Sequence, residues 1–364
     1  MIVATAVQAD PENRPQFGLI NVLKAGAAQL IVLHHLAFYG PMSDYVQPMW
    51  PALLDWLGDS ARIAVQVFLV IGGFLAAKSL APDGLPGLPA SATPLQAIRR
   101  RYIKLAPPFI AATLIAALAN ALASSAMSHD SISAPATFGQ LSAHALLLHG
   151  VLGYESLSAG AWYVAIDFQL YALTALALWT AGRVAGGRAL AWLVPVTVAA
   201  GGALSLLYFN LDAGWDNWAP YFFGSYGLGM LAWWASDTRR KSGAVFALML
   251  LLVVPAWLAL AVACVLFLCG RSATVLHGRA WAAVNTLGRI SYAVFLIHFP
   301  VSLLVNTAFV SWAPLEPEWQ ALGMLTAWSA SLTAGAAFHR WVELPLGRLV
   351  QSLAGKALVR PVSV

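Results

Sequence analysis

Charge is what this sequence has least of. Only 10% of its 364 residues are Asp, Glu, Lys or Arg, against roughly a quarter in ordinary soluble domains. With 60% hydrophobic residues, 15 tryptophans and a mean hydropathy of +0.73, the chain lacks the polar surface to coat a soluble globule. It reads as an all-α, polytopic membrane protein whose first partner is the lipid bilayer. Cysteine is nearly absent: Cys264 and Cys269 share one apolar run, which argues against a disulfide framework or a zinc site. His129, His144 and His149 have no zinc-motif spacing and read as loop histidines, so no metal is expected. The net charge of +5 is scattered over short connections rather than massed in one patch, so no nucleic-acid partner is implied. There is no internal or inverted repeat and no low-complexity tract. The first residues lack the basic and apolar regions of a cleaved signal, leaving the first span to direct targeting.

What the sequence does have is a succession of apolar stretches of about 20 residues, each long enough for a ~30 Å hydrocarbon layer. They predict about ten spans, at 17–40, 61–81, 103–126, 162–181, 190–209, 219–236, 243–254, 256–270, 287–309 and 319–339. Lys78 with Arg99 to Arg101, Arg183 with Arg188, Arg239 to Lys241, Arg271 with Arg279, and Arg340 with Arg348 mark alternate connections as cytoplasmic. The others carry acidic residues, with Arg62 their only basic one. That positive-inside pattern places both termini in the cytoplasm, with tails at 1–16 and 346–364 around a membrane domain at 17–345. The run Ala244 to Gly270 is expected as a hairpin broken near Pro255, one long span being the alternative. SAHALLLHGVLG, in the long outer connection before Gly160, is expected as an interfacial or re-entrant helix.

Against this background, ionisable residues inside spans stand out, since each costs on the order of 2.5–3.5 kcal/mol to insert. The first span, NVLKAGAAQLIVLHHLAFYG, carries Lys24, His34 and His35. Eleven residues make about three turns, so Lys24 and His35 share a face roughly 16 Å apart. Asp167 is the one acidic residue well inside a span, about two turns below the outer surface and at a depth comparable to His35. A carboxylate beside an imidazole fixes its tautomer and raises its basicity, as a general base requires. A structural hydrogen bond between helices is the other reading. At the inner mouth Lys24, Arg100, Arg101 and Lys104 gather with Arg289, placed to hold a phosphorylated donor whose thin arm reaches up to the histidine. Positive-inside orientation alone would also put them there. On the ninth span Ser291, Tyr292 and His298 form a polar stripe that orients an acceptor or glues helices. Glu343 is placed to pair with an inner-mouth arginine.

Taken in order, these stretches resemble the acyltransferase type 3 family over about Asn21 to Pro345. Lys24 and His35 match its basic residue, ten intervening residues and histidine. AVQVFLVIGGFL is similar to its FFVLSGFL segment, with Gly73 retained, and RRYIKLAPP to its RRxxRxxP stretch. WYVAIDFQLY resembles WSLSVEEQFY through Trp162, Asp167, Gln169 and Tyr171. LGRISYAVFLIHFPV is close to SYSLYLWHxP, and HRWVELP to its closing ErP. The departures are Gln66 for an acidic residue, Gly72 for serine, Lys104 for arginine and Asp167 for glutamate. The resemblance implies an integral-membrane enzyme, in a bacterial inner membrane, that moves an acyl group from cytoplasmic acyl-CoA to a hydroxyl of a glycan, glycolipid or other envelope acceptor. The expected group is acetyl, with acetyl-CoA as co-substrate and no permanently bound cofactor. His35 and Asp167 would be catalytic, and Lys24, Arg100, Arg101 and Lys104 would bind the donor. Gln169, Tyr171, Ser291, Tyr292 and His298 would line the substrate path, while Gly73, Trp162 and Glu343 serve structure. The competing class is a transporter or flippase of a lipid-linked sugar or small anion, using the same residues as a proton relay.

Overall fold

The computed structural model describes residues 15–89, 92–184, 192–236, 257–271 and 278–358, and every regular element among them is helical. The α-helices are α1 (Pro15–Phe38), α2 (Met42–Val46), α3 (Pro51–Asp59), α4 (Val65–Leu80), α5 (Pro94–Ala126), α6 (Phe138–Ala145) and α7 (Ala161–Val184). There follow α8 (Leu193–Leu207), α9 (Ala219–Ser236), α10 (Trp257–Arg271), α11 (Arg279–Arg289), α12 (Ser291–Trp312), α13 (Pro317–Phe338) and α14 (Leu344–Leu358). A π-helical segment, His339–Glu343, joins the last two.

Seven helical stretches among the described residues are long and apolar enough to cross a bilayer: Gly18–Phe38, Ala61–Leu80, Pro94–Ala126, Ala161–Val184, Leu193–Leu211, Ser291–Trp312 and Pro317–Val350. These coincide with seven of the expected spans. Helix α9 falls where the sixth was expected and α10 where the eighth was, but neither is among those seven. The expected span at 243–254 and the break near Pro255 lie outside the described residues.

Two boundaries differ from expectation, each for a local reason. The third span starts at Pro94 rather than 103, because Thr93 and Gln96 close a reciprocal capping box and Pro94 opens the first turn. Arg99 to Tyr102 are therefore helical rather than part of a connection. The expected span 287–309 is interrupted at Ile290 (φ −86°, ψ 1°), so amphipathic α11 lies against α1 and α12 starts afresh at Ser291. A side chain at Gly288 would lie 2.2 Å from the Asn21 carbonyl oxygen, so only glycine lets α11 sit so close to α1.

The centre of the bundle is set by the crossing of α4 and α9. A Cβ on Gly73 would fall 1.8 Å from the Tyr226 carbonyl oxygen, and one on Gly229 would fall 1.9 Å from that of Val70. The backbones touch, as small residues permit between membrane helices. Helices α8 and α10 pack on this crossing, α1 and α7 also touch it, and α5 and α12 pack in turn on α7 and α1.

Candidate active site

His35 and His298 meet at the interface of α1 and α12. His35 Nδ1 lies 2.7 Å from His298 Nε2, and the rings are nearly parallel at a centroid separation of 4.9 Å. Both residues are buried. His298 Nδ1 faces two acceptors, the carbonyl oxygens of Phe295 at 2.8 Å and Val294 at 3.2 Å. A carbonyl only accepts, so Nδ1 of His298 carries the proton and its Nε2 presents a lone pair. His35 must then donate through Nδ1, which leaves His35 Nε2 with a lone pair and no hydrogen-bond partner among the described residues. The tautomer of the first-span histidine is thus set by a chain of three groups: carbonyls, His298, His35. Beside it, His34 Nδ1 donates to the Leu57 carbonyl at 2.8 Å.

The expected hydrogen bond between His35 and Asp167 is not formed. The Asp167 carboxylate is taken by Arg101, whose guanidinium donates to Oδ2 across the α5–α7 interface. Comparable depth says nothing of lateral position, and Arg101, half-buried on α5, faces α7 where the two helices pack. Phe68, Tyr163 and Phe295 pack with centroid separations of 5.4 to 5.9 Å, and Phe295 also touches His298 at 6.0 Å. Since Tyr163 precedes Asp167 by one turn, this aromatic group links the histidine pair to the ion pair.

The ion pair is incompletely satisfied. Asp167 Oδ1, Arg101 Nε and the Tyr226 hydroxyl are all buried without a hydrogen-bond partner. Asp167 Oδ1 and the Tyr226 ring converge on Gly72, where a Cβ would lie 2.7 Å from the first and 3.3 Å from the second. Buried polar atoms each cost about 1–3 kcal/mol when unmatched, so the cluster offers donors and an acceptor to a neutral polar guest.

The remaining predicted residues separate into two groups. Arg100 and Lys104 are exposed on the first turns of α5, and Lys24 is half-buried on α1. The others are buried or half-buried. Gln169 Nε2 donates to the Leu147 carbonyl at 3.0 Å, the Tyr292 hydroxyl to that of Leu105 at 3.0 Å, and the Ser291 hydroxyl to that of Gly288 at 2.8 Å. Tyr171 offers its ring face to Arg101 at 5.2 Å. Trp162 packs on Phe222. Glu343 accepts from His339 at 2.7 Å within the π-helical segment, so the partner found is a histidine one turn away rather than an arginine.

A family model for an acyltransferase domain matches residues 18–338. The chain belongs to the acyltransferase 3 family. No curated protein and no solved structure matches it. Sequence reasoning missed Tyr226 and Gly229, whose signal was the glycine spacing of GSYGLGM. It also set aside His144 and His149, which form a buried stack at 3.9 Å in the segment before α7. There His144 accepts from the Leu157 N–H and donates to the Gln140 carbonyl. Burial, and then the neighbouring His144 ring, push His149 down to about 3.

Proposed function

We propose that this acyltransferase moves an acyl group, acetyl by preference, from acyl-CoA supplied on the cytoplasmic side to a hydroxyl of a glycan, glycolipid or other envelope acceptor. His35 Nε2 is the general base. It takes the proton from the acceptor hydroxyl as the oxygen attacks the thioester carbonyl. The C–S bond then breaks, and the departing thiolate takes the same proton back from His35. Products are the ester and the free thiol. His298 replaces Asp167 as the orienting group, holding the reactive nitrogen unprotonated and sharing the positive charge while the proton resides on the pair.

Lys24, Arg100 and Lys104 hold the donor phosphates by charge-assisted hydrogen bonds. Arg101, committed to Asp167, instead forms with it and Tyr226 the polar floor against which a neutral part of a substrate is seated. The observation that carries this reading is the one-way hydrogen-bond chain ending at His35 Nε2. Family membership favours transfer over transport. The test is mass spectrometry of envelope components from cells with and without the gene. An acyl mass lost with the gene is expected; unchanged acylation, with altered distribution of a lipid-linked sugar across the membrane, would favour the transporter class.

A further inference from the structure

A cleft of about 290 Å³ lies between α7, α8 and α9. Leu170 and Leu178, Val194 and Val198, and Phe223 and Met230 are representative of its wall. The Thr197 hydroxyl, which also lines it, is spent on the carbonyls of Leu193 and Val194. Its dimensions are informative. From Leu170 to Ala181 on α7, and from Val194 to Leu204 on α8, the lining extends for about 15–17 Å at the α-helical rise. The lining is apolar apart from the hydroxyls of Thr197 and Thr174, which suits an extended hydrocarbon chain and gives a sugar ring few partners. The length is about half of the ~30 Å hydrocarbon core, the depth of a single leaflet.

The cleft is also open on the correct side. Leu173 and Leu204 both line it and are each 52% exposed. They continue into a belt of exposed apolar side chains on the same two spanning helices, Leu176, Trp179, Val196 and Leu207, which a membrane protein turns to lipid. An apolar groove left unfilled forfeits dispersion contacts along its whole wall, and the bilayer supplies the filler directly through this opening.

We infer that the cleft is a binding site for one acyl chain of a bilayer phospholipid, which enters sideways between α7 and α8 and stays as part of the folded protein. Leu170 follows Asp167 by three residues and Met230 follows Tyr226 by four, so the bound chain braces the face of α7 and α9 that carries the polar floor.

The test uses the full-length protein in nanodiscs of a defined phospholipid bearing a diazirine midway along one chain. Illumination and peptide mass spectrometry are expected to place crosslinks at Leu173, Ala177 and Leu204. Native mass spectrometry after transfer to mild detergent is expected to show one retained phospholipid. Ala177→Trp, which fills the cleft, should cut retention and crosslinking at least tenfold, and the smaller Ala177→Leu should reduce both should the tryptophan variant fail to fold. Leu176→Trp, on the exposed belt, should change neither. Equal retention by the filled variants would overturn the assignment, as would crosslinks spread evenly around the belt. A retained polyprenyl lipid, or a second copy of the chain crosslinked through this face, would overturn it too. None of these readouts involves acyl transfer.

Discussion

Arg101 and Asp167 depend on each other because neither side chain reaches bulk water freely, with side-chain exposures of 20% and 6%. Asp167→Asn leaves a buried guanidinium without its counter-charge, a change that costs about 3–5 kcal/mol. Thermal unfolding in detergent should show this loss, and the Arg101→Met, Asp167→Leu double variant should recover much of it. Tyr226→Phe removes only an unpartnered hydroxyl, so stability should hold while the Michaelis constant of a substrate seated on the polar floor rises. These residues also show how far sequence reading reaches. His35 and Asp167 were conspicuous because charge is expensive in hydrocarbon, and both are indeed buried at polar contacts. Their partners were not readable. Hydropathy gives position along the membrane normal, whereas pairing depends on how helices are arranged around the bundle axis. His298 was recognised as polar and mid-span, but nothing in one-dimensional spacing says that α12 lies beside α1.

At the level of elements, the contact of α4 with α9 is the most intolerant feature of the bundle. Gly73→Ala and Gly229→Ala each drive a methyl into a backbone carbonyl, and overpacking of this kind typically costs about 1–3 kcal/mol. Gly26→Ala on α1, with nothing within 4 Å of the new carbon, should be neutral or stabilising by up to about 1 kcal/mol. Expression and melting temperature of the three variants would separate these cases. Gly73 is a retained motif position, while Gly229 is marked only by the glycine spacing of GSYGLGM, which does not say which helix it meets. The segment around α6 makes a different prediction. His149 is held near 3, against about 6.5 for a free histidine. Between those values the unfolded segment binds a proton that the folded one refuses, so its stability is full above about pH 6.5 and falls as pH drops towards 3. Hydrogen exchange across residues 138–157 should quicken over that range, and His149→Phe should flatten the dependence. The stack was hidden because a histidine in a connecting segment ordinarily faces water.

Across the whole molecule, an all-helical, membrane-embedded acyltransferase was readable from composition and motif order, because low charge and 20-residue apolar runs permit few alternatives. Helix ends were less so: the cap at Thr93 and the break at Ile290 depend on local hydrogen bonding and on glycine contacts that hydropathy averages away. The ten-span topology with both termini inside remains our proposal. Reporter fusions in the connections at 82–92 and 212–217 should give cytoplasmic and external signals respectively, and the reverse would invert the placement of the donor-binding lysines and arginines. The central claim, that His35 acts as base under the control of His298, is tested most directly by acyl transfer from labelled acyl-CoA to membrane acceptors. The variants are His35→Ala, His298→Ala and His298→Gln, compared at matched expression. A loss of 10²- to 10⁴-fold is expected for His35→Ala and a large loss for His298→Ala. His298→Gln should recover part of it, because the amide oxygen can still accept from His35 Nδ1. Wild-type transfer by His35→Ala would contradict the account outright.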